Sequence, residues 1–462
     1  MCGISAIIHN TNNIVDILYK SLFNIQHRGQ QSSGFLFFSS KTKIIYESKK
    51  IGLIDEHLKN LENIDTVDMG LGHVRYPTSG INSDKEIQPY TILKPYGISL
   101  VHNGNLTNKY KLKNFLNSKN IYMTGTSDSE IILNLFYYFI EKDITKLTNE
   151  IIISTLKLIY EMCIGSFSII IMIHDYGLIA FRDKYGIRPL VYSKKNNVIF
   201  SSETSGLDDN NYENVLNGEV VIVKKNLNIY KHQLYYEKLT PCIFEYIYFA
   251  TPESYINDIL VYNFREKAGE KILETIDKSI LDSIDIIVPV PLTSIISATA
   301  ISNGINKPIK HAIYKNRYTH RTFINTGNEI IKNIKKIKII NELVDNKNIL
   351  LVDDSIVRGN TSKYIINELK KTNVKNIYFA CCSPPIRYPN YYGINIPSHE
   401  ELIAYNKTHE EIENYLQIDK LFYLSLTDVL NVLKEINPNI KLFEDSTFTG
   451  NYFHYYEDML LE

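Results

Sequence analysis

Residues 348–362, NILLVDDSIVRGNTS, constrain the fold of this chain more than any other stretch. An unbroken apolar run, Ile349 to Val352, ends in two carboxylates, Asp353 and Asp354. A polar loop containing Gly359 follows and leads into a helix-length segment, 361–371. A strand without polar alternation is buried on both faces, as strands of a helix-covered parallel sheet are. Two more runs share that character, IDIIVPVP (284–291) and KNIYFACCS (375–383). Strand, helix and strand at this rhythm predict an α/β domain with a mainly parallel sheet and right-handed crossovers.

The chain before about residue 240 reads differently. GISAII and SGFLFFSS are β-prone, ISLV (98–101) runs into HNGN as a turn, and SFSIIIMI (166–173) and GLIAF (178–182) flank HDYG as a hairpin. Apolar residues at helical spacing predict helices near 14–26 and 128–142. Residues 219–230 and 234–236 read as closing strands. A chain of 462 residues exceeds one ordinary core. The change of pattern places a boundary near 232–244, with domains at 2–235 and 240–462. A net charge of -1 argues against a partner held by bulk charge, whether nucleic acid or membrane surface. Five cysteines without a CxxC pair, no apolar run near ~20 residues, and no basic n-region at the start fit a reducing, cytoplasmic setting.

The Asp-Asp loop has the chemistry of a ribose-phosphate cradle. Asp353 and Asp354 fall at the carboxyl end of a strand, where open α/β sheets bind ligands. Two adjacent carboxylates suit ribose hydroxyls and a nearby Mg²⁺. Ser355, Arg358, Gly359, Thr361 and Ser362 offer hydroxyl donors, positive charge and helix N-terminal amides to a phosphate. A bare Asp-Asp is more often an acidic surface turn, but the apolar strand before it and the loop after it argue otherwise.

At the other end, Met1 is followed by Cys2 and Gly3. Removal of Met1 would leave a terminal cysteine holding both a nucleophile and, in its α-amine of reference pKa ~7.7–8.0, a base. Arg75 in GHVRYPTSG (72–80) suits a carboxylate clamp. Asp128 in TGTSDSE (124–130) suits an ammonium, and Asn103 and Gly104 in HNGN suit an oxyanion. Taken singly, Arg75 reads equally as a surface ion-pair partner, Asp128 as a helix cap, and HNGN as a hairpin turn.

Together, MCGISAII, QHRGQQSSG (26–34), GHVRYPTSG, HNGNL, TSDSE, FRDKYGIRPL (181–190) and SSET (201–204) resemble the glutaminase domain of the N-terminal-nucleophile amidotransferases. The resemblance implies an α+β sandwich of two antiparallel sheets between helical layers (αββα). It implies Cys2 as nucleophile, Asn103 and Gly104 as oxyanion hole, and Arg75 and Asp128 as the glutamine clamp. VDDSIVRGNT, VPVPLTS (288–294) and HAIYKNRYTHRTFI (311–324) resemble the type I phosphoribosyltransferases. That implies Asp353, Asp354 and Thr293 around Mg²⁺, with Lys315, Arg317 and Arg321 in a basic flap over pyrophosphate. A solvated basic face is the bland alternative for that flap.

The two domains in one chain resemble the glutamine phosphoribosylpyrophosphate amidotransferase family. CIFEYIYFATPES (242–254), FREKAGEKI (264–272), PPIRYPNYYGI (384–394) and FTGNY (448–452) extend the likeness. The resemblance implies a pentosyl-class glycosyltransferase with glutaminase activity in purine biosynthesis. Its substrates are glutamine and phosphoribosyl pyrophosphate, its products 5-phosphoribosylamine, glutamate and pyrophosphate. Purine nucleotides are the expected feedback inhibitors, and a homo-oligomer, dimer or tetramer, the expected assembly. Leu292, Thr251, Asn217 and Asn360 depart from the family pattern. No iron–sulfur cluster is expected, because the positions matching three of the cluster ligands lack cysteine. Two other readings share parts of the pattern: an amino-sugar synthase with the same first domain, against which VDDSIVRGNT argues, and a non-catalytic phosphoribosyl-pyrophosphate-binding regulator, against which Cys2, Arg75, Asn103 and Asp128 argue.

Overall fold

The computed structural model describes residues 2–9, 13–62, 64, 66–76, 84–315, 337–396 and 398–453. The chain forms two compact units. The first comprises the chain up to Cys242, together with Tyr391–Asn395 and the stretch from Tyr452. The second comprises Ile243–Asn390 and Ile396–Asn451. The short segment Tyr391–Asn395 thus packs with the first unit although the chain on either side belongs to the second.

The first unit is built on two antiparallel sheets. One has seven strands in the order Tyr212–Asn214, Val191–Lys194, Asn197–Ser201, Gly3–His9, Met69–Arg75, Ser32–Phe38 and Ile45–Ile51. The other has six, in the order Ile229–Gln233, Glu219–Lys224, Gly177–Arg182, Gly165–Ile173, Ile98–Leu106 and Tyr90–Ile92. Strand alternation sends Ile4, Ala6, Ile8 and Leu71 inward to meet Val101, Ile170, Ala180 and Val221 of the facing sheet. The opposite face of the first sheet, with Ile7, Phe35 and Val74, receives Leu18 and Leu22 of the helix Ile14–Asn24. The opposite face of the second, with Leu100, Ile169 and Phe181, is covered by Asp128–Phe139 and Asn149–Met162. Each buried Leu, Ile or Phe contributes roughly 1.5–3 kcal/mol against exposure, so four layers close without polar strand faces. This is the expected αββα sandwich.

The second unit holds a four-stranded parallel sheet in the order Ile286–Pro289, Asn348–Asp353, Asn376–Cys381, Lys420–Tyr423. Ile365, Ile366 and Leu369 of helix Asn360–Leu369 and Ile412 and Leu416 of helix His409–Leu416 complete its core. Helix Val261–Ile272 packs on Ile295–Ile305 and Leu426–Ile436. Asp353 is the last residue of its strand and pairs with Cys381 at the end of the neighbouring one.

Some local expectations fail. HNGN is no turn: the strand Ile98–Leu106 runs straight through it, because Asn103, Gly104 and Asn105 all pair with Gly165–Ile173. Residues 219–230 are not one strand but part of a hairpin, Glu219–Lys224 with Ile229–Gln233, and 234–236 lie beyond it. The fourth parallel strand, Lys420–Tyr423, has only four residues and begins with an exposed lysine, so its sequence lacks the apolar run that marks the others.

Candidate active sites

In the first unit Cys2 and Arg75 stand at the ends of neighbouring strands of one sheet, and Asn103 lies within a strand of the other. Cys2 immediately precedes the strand Gly3–His9, is buried, and its Sγ lies 3.5 Å from the carbonyl oxygen of Tyr76. Arg75 ends the neighbouring strand, Met69–Arg75, and is only 6% exposed, which rules out the surface ion-pair reading. Asn103 stands inside Ile98–Leu106, and its buried Nδ2 has no hydrogen-bond partner among the described residues. A buried amide N–H without a partner costs about 1–3 kcal/mol. Gly104 follows it; a Cβ there would stand 2.1 Å from the carbonyl oxygen of Ser166.

Asp128 opens the helix Asp128–Phe139 but does not cap it. The cap is Ser127, whose side chain accepts from the Ser129 amide at 3.2 Å. The buried Asp128 carboxylate instead accepts from the Leu106 amide at 2.9 Å, tying it to the strand that carries Asn103. Its other oxygen lies 3.8 Å from His102 Nδ1. Burial holds His102 below the usual histidine range, against the pull of Asp128, and pushes His73 well below it with the help of the Arg75 charge. Both imidazoles are therefore neutral at physiological pH.

In the second unit Asp353 and Asp354 are 8% and 7% exposed. Burial, and then the neighbouring Asp354 charge, raise Asp353 well above the carboxylate range. Burial also raises Asp354, against hydrogen bonds from Thr293 and Ser355 and the charge of Arg265. Thr293 donates to Asp354 Oδ1, Ser355 donates to Oδ2 at 2.7 Å, and the Asp354 amide donates to Asp353 Oδ1 at 2.9 Å. Gly359, at φ +75°, precedes the helix Asn360–Leu369, so the loop 355–359 ends on free helix N-terminal amides. Thr361 is exposed at that helix start, whereas Ser362 is buried.

Not every expected residue converges here. Arg358 is engaged by Glu401, on a partly exposed surface. Leu292 is 79% exposed and its side chain offers no polar group. Lys315 lies in a short strand, Ile313–Lys315, paired with Ile337–Ile339. Arg317 and Arg321 lie outside the described residues. No group of three or more His, Cys, Asp or Glu gathers among the described residues; Asp353, Asp354 and Thr293 offer the oxygens nearest one another at this strand end. Two buried carboxylates with raised pKa values favour a cation, and this short oxygen set fits Mg²⁺, which keeps water and substrate phosphates in its shell.

Two features escaped the sequence reading. Arg265, buried on helix Val261–Ile272, lines a small cavity with Thr293, Asp354 and Cys382. Its place in FREKAGEKI was the only signal. Glu203 of SSET and Arg28 of QHRG meet as a buried ion pair next to Cys2.

Known proteins share both sites' frameworks. The glutamine amidotransferase domain family matches residues 73–209, and the phosphoribosyl transferase domain family matches residues 260–386. The amidophosphoribosyltransferase of Haemophilus influenzae is 38% identical, covering 98% of this chain and 92% of its own. That of Saccharomyces cerevisiae is 35% identical over 99% and 93%. Among solved structures, the glutamine phosphoribosylpyrophosphate amidotransferase of B. subtilis, complexed with ADP and GMP, superposes with a TM-score of 0.85 at 28% identity, covering 99% of this chain and 98% of that one.

Proposed function

The chain belongs to the amidophosphoribosyltransferase family, and we propose that it divides the family's reaction between Cys2 in the first unit and the Asp353–Asp354 pair in the second. It catalyses glutamine-dependent amidation of phosphoribosyl pyrophosphate, the first step of purine biosynthesis. The assignment of residues is our own reading, and the buried, unpartnered Nδ2 of Asn103 is the observation that carries it.

In the first half-reaction the mature chain begins at Cys2. Its α-amine takes the thiol proton, Sγ bonds to the amide carbon of glutamine, and the C–N bond breaks as ammonia leaves with that proton. Asn103 Nδ2 and the Gly104 amide hold the oxyanion, Arg75 holds the substrate carboxylate, and Asp128 its ammonium. Water then cleaves the glutamyl thioester to glutamate. In the second half-reaction ammonia bonds to C1 of the ribose as the bond to pyrophosphate breaks. Asp353 and Asp354 orient the ribose hydroxyls. Ser355, Gly359 and Thr361 hold the 5-phosphate through hydroxyls and helix amides, with Arg358 available once it leaves Glu401. Lys315 and Arg321 would neutralise the departing pyrophosphate. Mg²⁺ held by Asp353, Asp354 and Thr293 would neutralise charge on the leaving pyrophosphate.

The relative bound to ADP and GMP supports purine nucleotides as inhibitors of this chain. We assign it to the cytoplasm as a homo-oligomer, dimer or tetramer; among the described residues no helix is long and apolar enough to cross a membrane. The decisive experiment measures pyrophosphate release by Cys2→Ala with glutamine and with ammonium. Loss of the first with retention of the second is expected. Retention of both, or loss of both in folded protein, would refute the division. Intact mass of active enzyme should correspond to a chain starting at Cys2.

A further inference from the structure

Two segments of the first unit, QHRG (26–29) and SSET (201–204), have no place in the chemistry above, yet they meet beside the nucleophile. Arg28 and Glu203 are both fully buried, and Arg28 Nη1 donates to Glu203 Oε1. The same guanidinium turns its Nε to the carbonyl oxygen of Cys2 at 3.0 Å. His27 Nε2 reaches the same Glu203 oxygen at 2.8 Å. Glu203 is itself anchored alongside the N-terminal strand. The Ile4 amide donates to Ser202 Oγ at 3.0 Å, and the Ser202 amide donates to the Ile4 carbonyl at 3.0 Å.

A buried ion pair is a poor way to stabilise a core. Desolvating two charges costs several kcal/mol each, and an apolar pair of the same volume often does as well. What such a pair supplies is direction, since a planar guanidinium fixed by a carboxylate presents its remaining N–H at one angle. Here that N–H fixes the Cys2 carbonyl. Cys2 carries the nucleophilic sulfur and the base on one residue, so the orientation of its peptide group sets both at once.

We infer that Glu203 is a positioning residue for the glutaminase half-reaction: it locks Arg28, and Arg28 holds the Cys2 carbonyl so that sulfur and α-amine face the substrate together. The inference rests on the reading of Cys2 as nucleophile. Glu203 touches neither substrate nor reacting atoms.

The test uses full-length Glu203→Gln and Arg28→Lys, with Cys2→Ala as a separate arm. For each, kcat and KM are measured with glutamine and with ammonium, alongside the melting temperature. A misplacement of the nucleophile by about 1 Å is worth on the order of 100-fold in rate, so both variants should lose glutamine-dependent kcat by at least about tenfold. KM for glutamine should stay near the parent value, because Arg75 and Asp128 are untouched. Ammonia-dependent turnover should not change. Unchanged glutamine kcat in both variants overturns the inference. So does a parallel loss of kcat, KM and melting temperature, or failure of both variants to fold, since either assigns the pair to stability alone. Glutamine turnover by Cys2→Ala would instead remove the nucleophile on which the inference stands.

Discussion

Gly393 lies against the backbone of Gly104: a Cβ at residue 393 would stand 3.2 Å from the Gly104 carbonyl carbon and 3.3 Å from its oxygen. The segment around it is fixed on both sides. The Tyr392 carbonyl accepts from Arg188 Nε at 2.7 Å and from Ser166 Oγ at 2.7 Å, and the Tyr391 carbonyl accepts from Asn105 Nδ2 at 3.0 Å. A stretch far along the chain thus braces the strand that carries Asn103. At φ +101° residue 393 also sits where only glycine is unstrained.

Gly393→Ala should therefore do more than destabilise. The strained backbone costs of order 1–3 kcal/mol, and the added methyl presses on the oxyanion strand. Glutamine-dependent kcat should fall well beyond any loss of ammonia-dependent turnover. Steady-state rates with both nitrogen sources and a melting curve check this. An equal fall in both rates would mean that the segment supports the whole chain and has no special bearing on Asn103.

Asn103→Ala removes the one side-chain donor of the proposed oxyanion hole. Loss of such a donor costs about 10²–10³ in kcat, and little in substrate binding because the charge develops only on the way to the thioester. Glutamine KM should stay near the parent value and ammonia-dependent synthesis should be intact. A rise in KM with kcat unchanged would make Asn103 a ground-state binder instead.

Much of both sites was legible because it is local. An apolar run ending in Asp-Asp, with a glycine loop and helix behind it, is one continuous piece of chain, and it lies where it reads. HNGN shows the opposite case. Asn-Gly is a strong turn signal, yet pairing with Gly165–Ile173 carries the strand through it, and no local pattern reports that partner. Arg265 and Glu203 were missed for the same reason. An arginine in an amphipathic helix and a glutamate after two serines look ordinary until the fold sets one beside Asp354 and the other beneath Cys2. Arg358 adds something the loop does not announce: its place there suggests a phosphate ligand, and the fold sets Glu401 against its side chain.

Asp353→Asn should separate stability from function. Burial and the Asp354 charge raise the folded pKa of Asp353 well above the value near ~3.9 of an unfolded aspartate. A raised carboxyl favours the folded state fully only below the unfolded pKa, and that advantage is lost as pH rises through the folded value. At neutral pH the charged pair is therefore a liability, and the amide relieves it while still accepting from the Asp354 amide. The melting temperature of substrate-free, metal-free Asp353→Asn should exceed that of the parent at pH 7, with the gap closing toward pH 4. Synthesis should fall by at least about 100-fold with either nitrogen source, because a charge held for the substrate is gone. A variant that is both active and no more stable would show that the pair carries neither role.

The purified protein should be colourless and should fold in air, although cluster-bearing relatives carry iron and sulfide. A cubane cluster needs four thiolates gathered in space. The position after S-P-P is Asn390, buried, whose amide donates to the Ile396 carbonyl at 3.0 Å. The stretch before FTG reads Glu444, Asp445, Ser446, Thr447 and runs into the short helix Ser446–Thr449: the Ser446 amide donates to the Glu444 carboxylate at 3.0 Å, and the Thr447 carbonyl accepts the amides of Arg387 at 2.9 Å and Tyr388 at 3.1 Å. None of these positions carries a thiol. The five cysteines of the chain are all buried, and none is in a disulfide. Burial pushes Cys382 up to about 12 and raises Cys163 and Cys381 further, so these thiols resist the deprotonation that iron ligation requires. Iron and acid-labile sulfide, assayed in protein prepared without air, should both be far below one atom per chain. A brown preparation with an absorption band lost on reduction, and stoichiometric iron, would overturn the prediction and require a ligand set other than the one these positions supply.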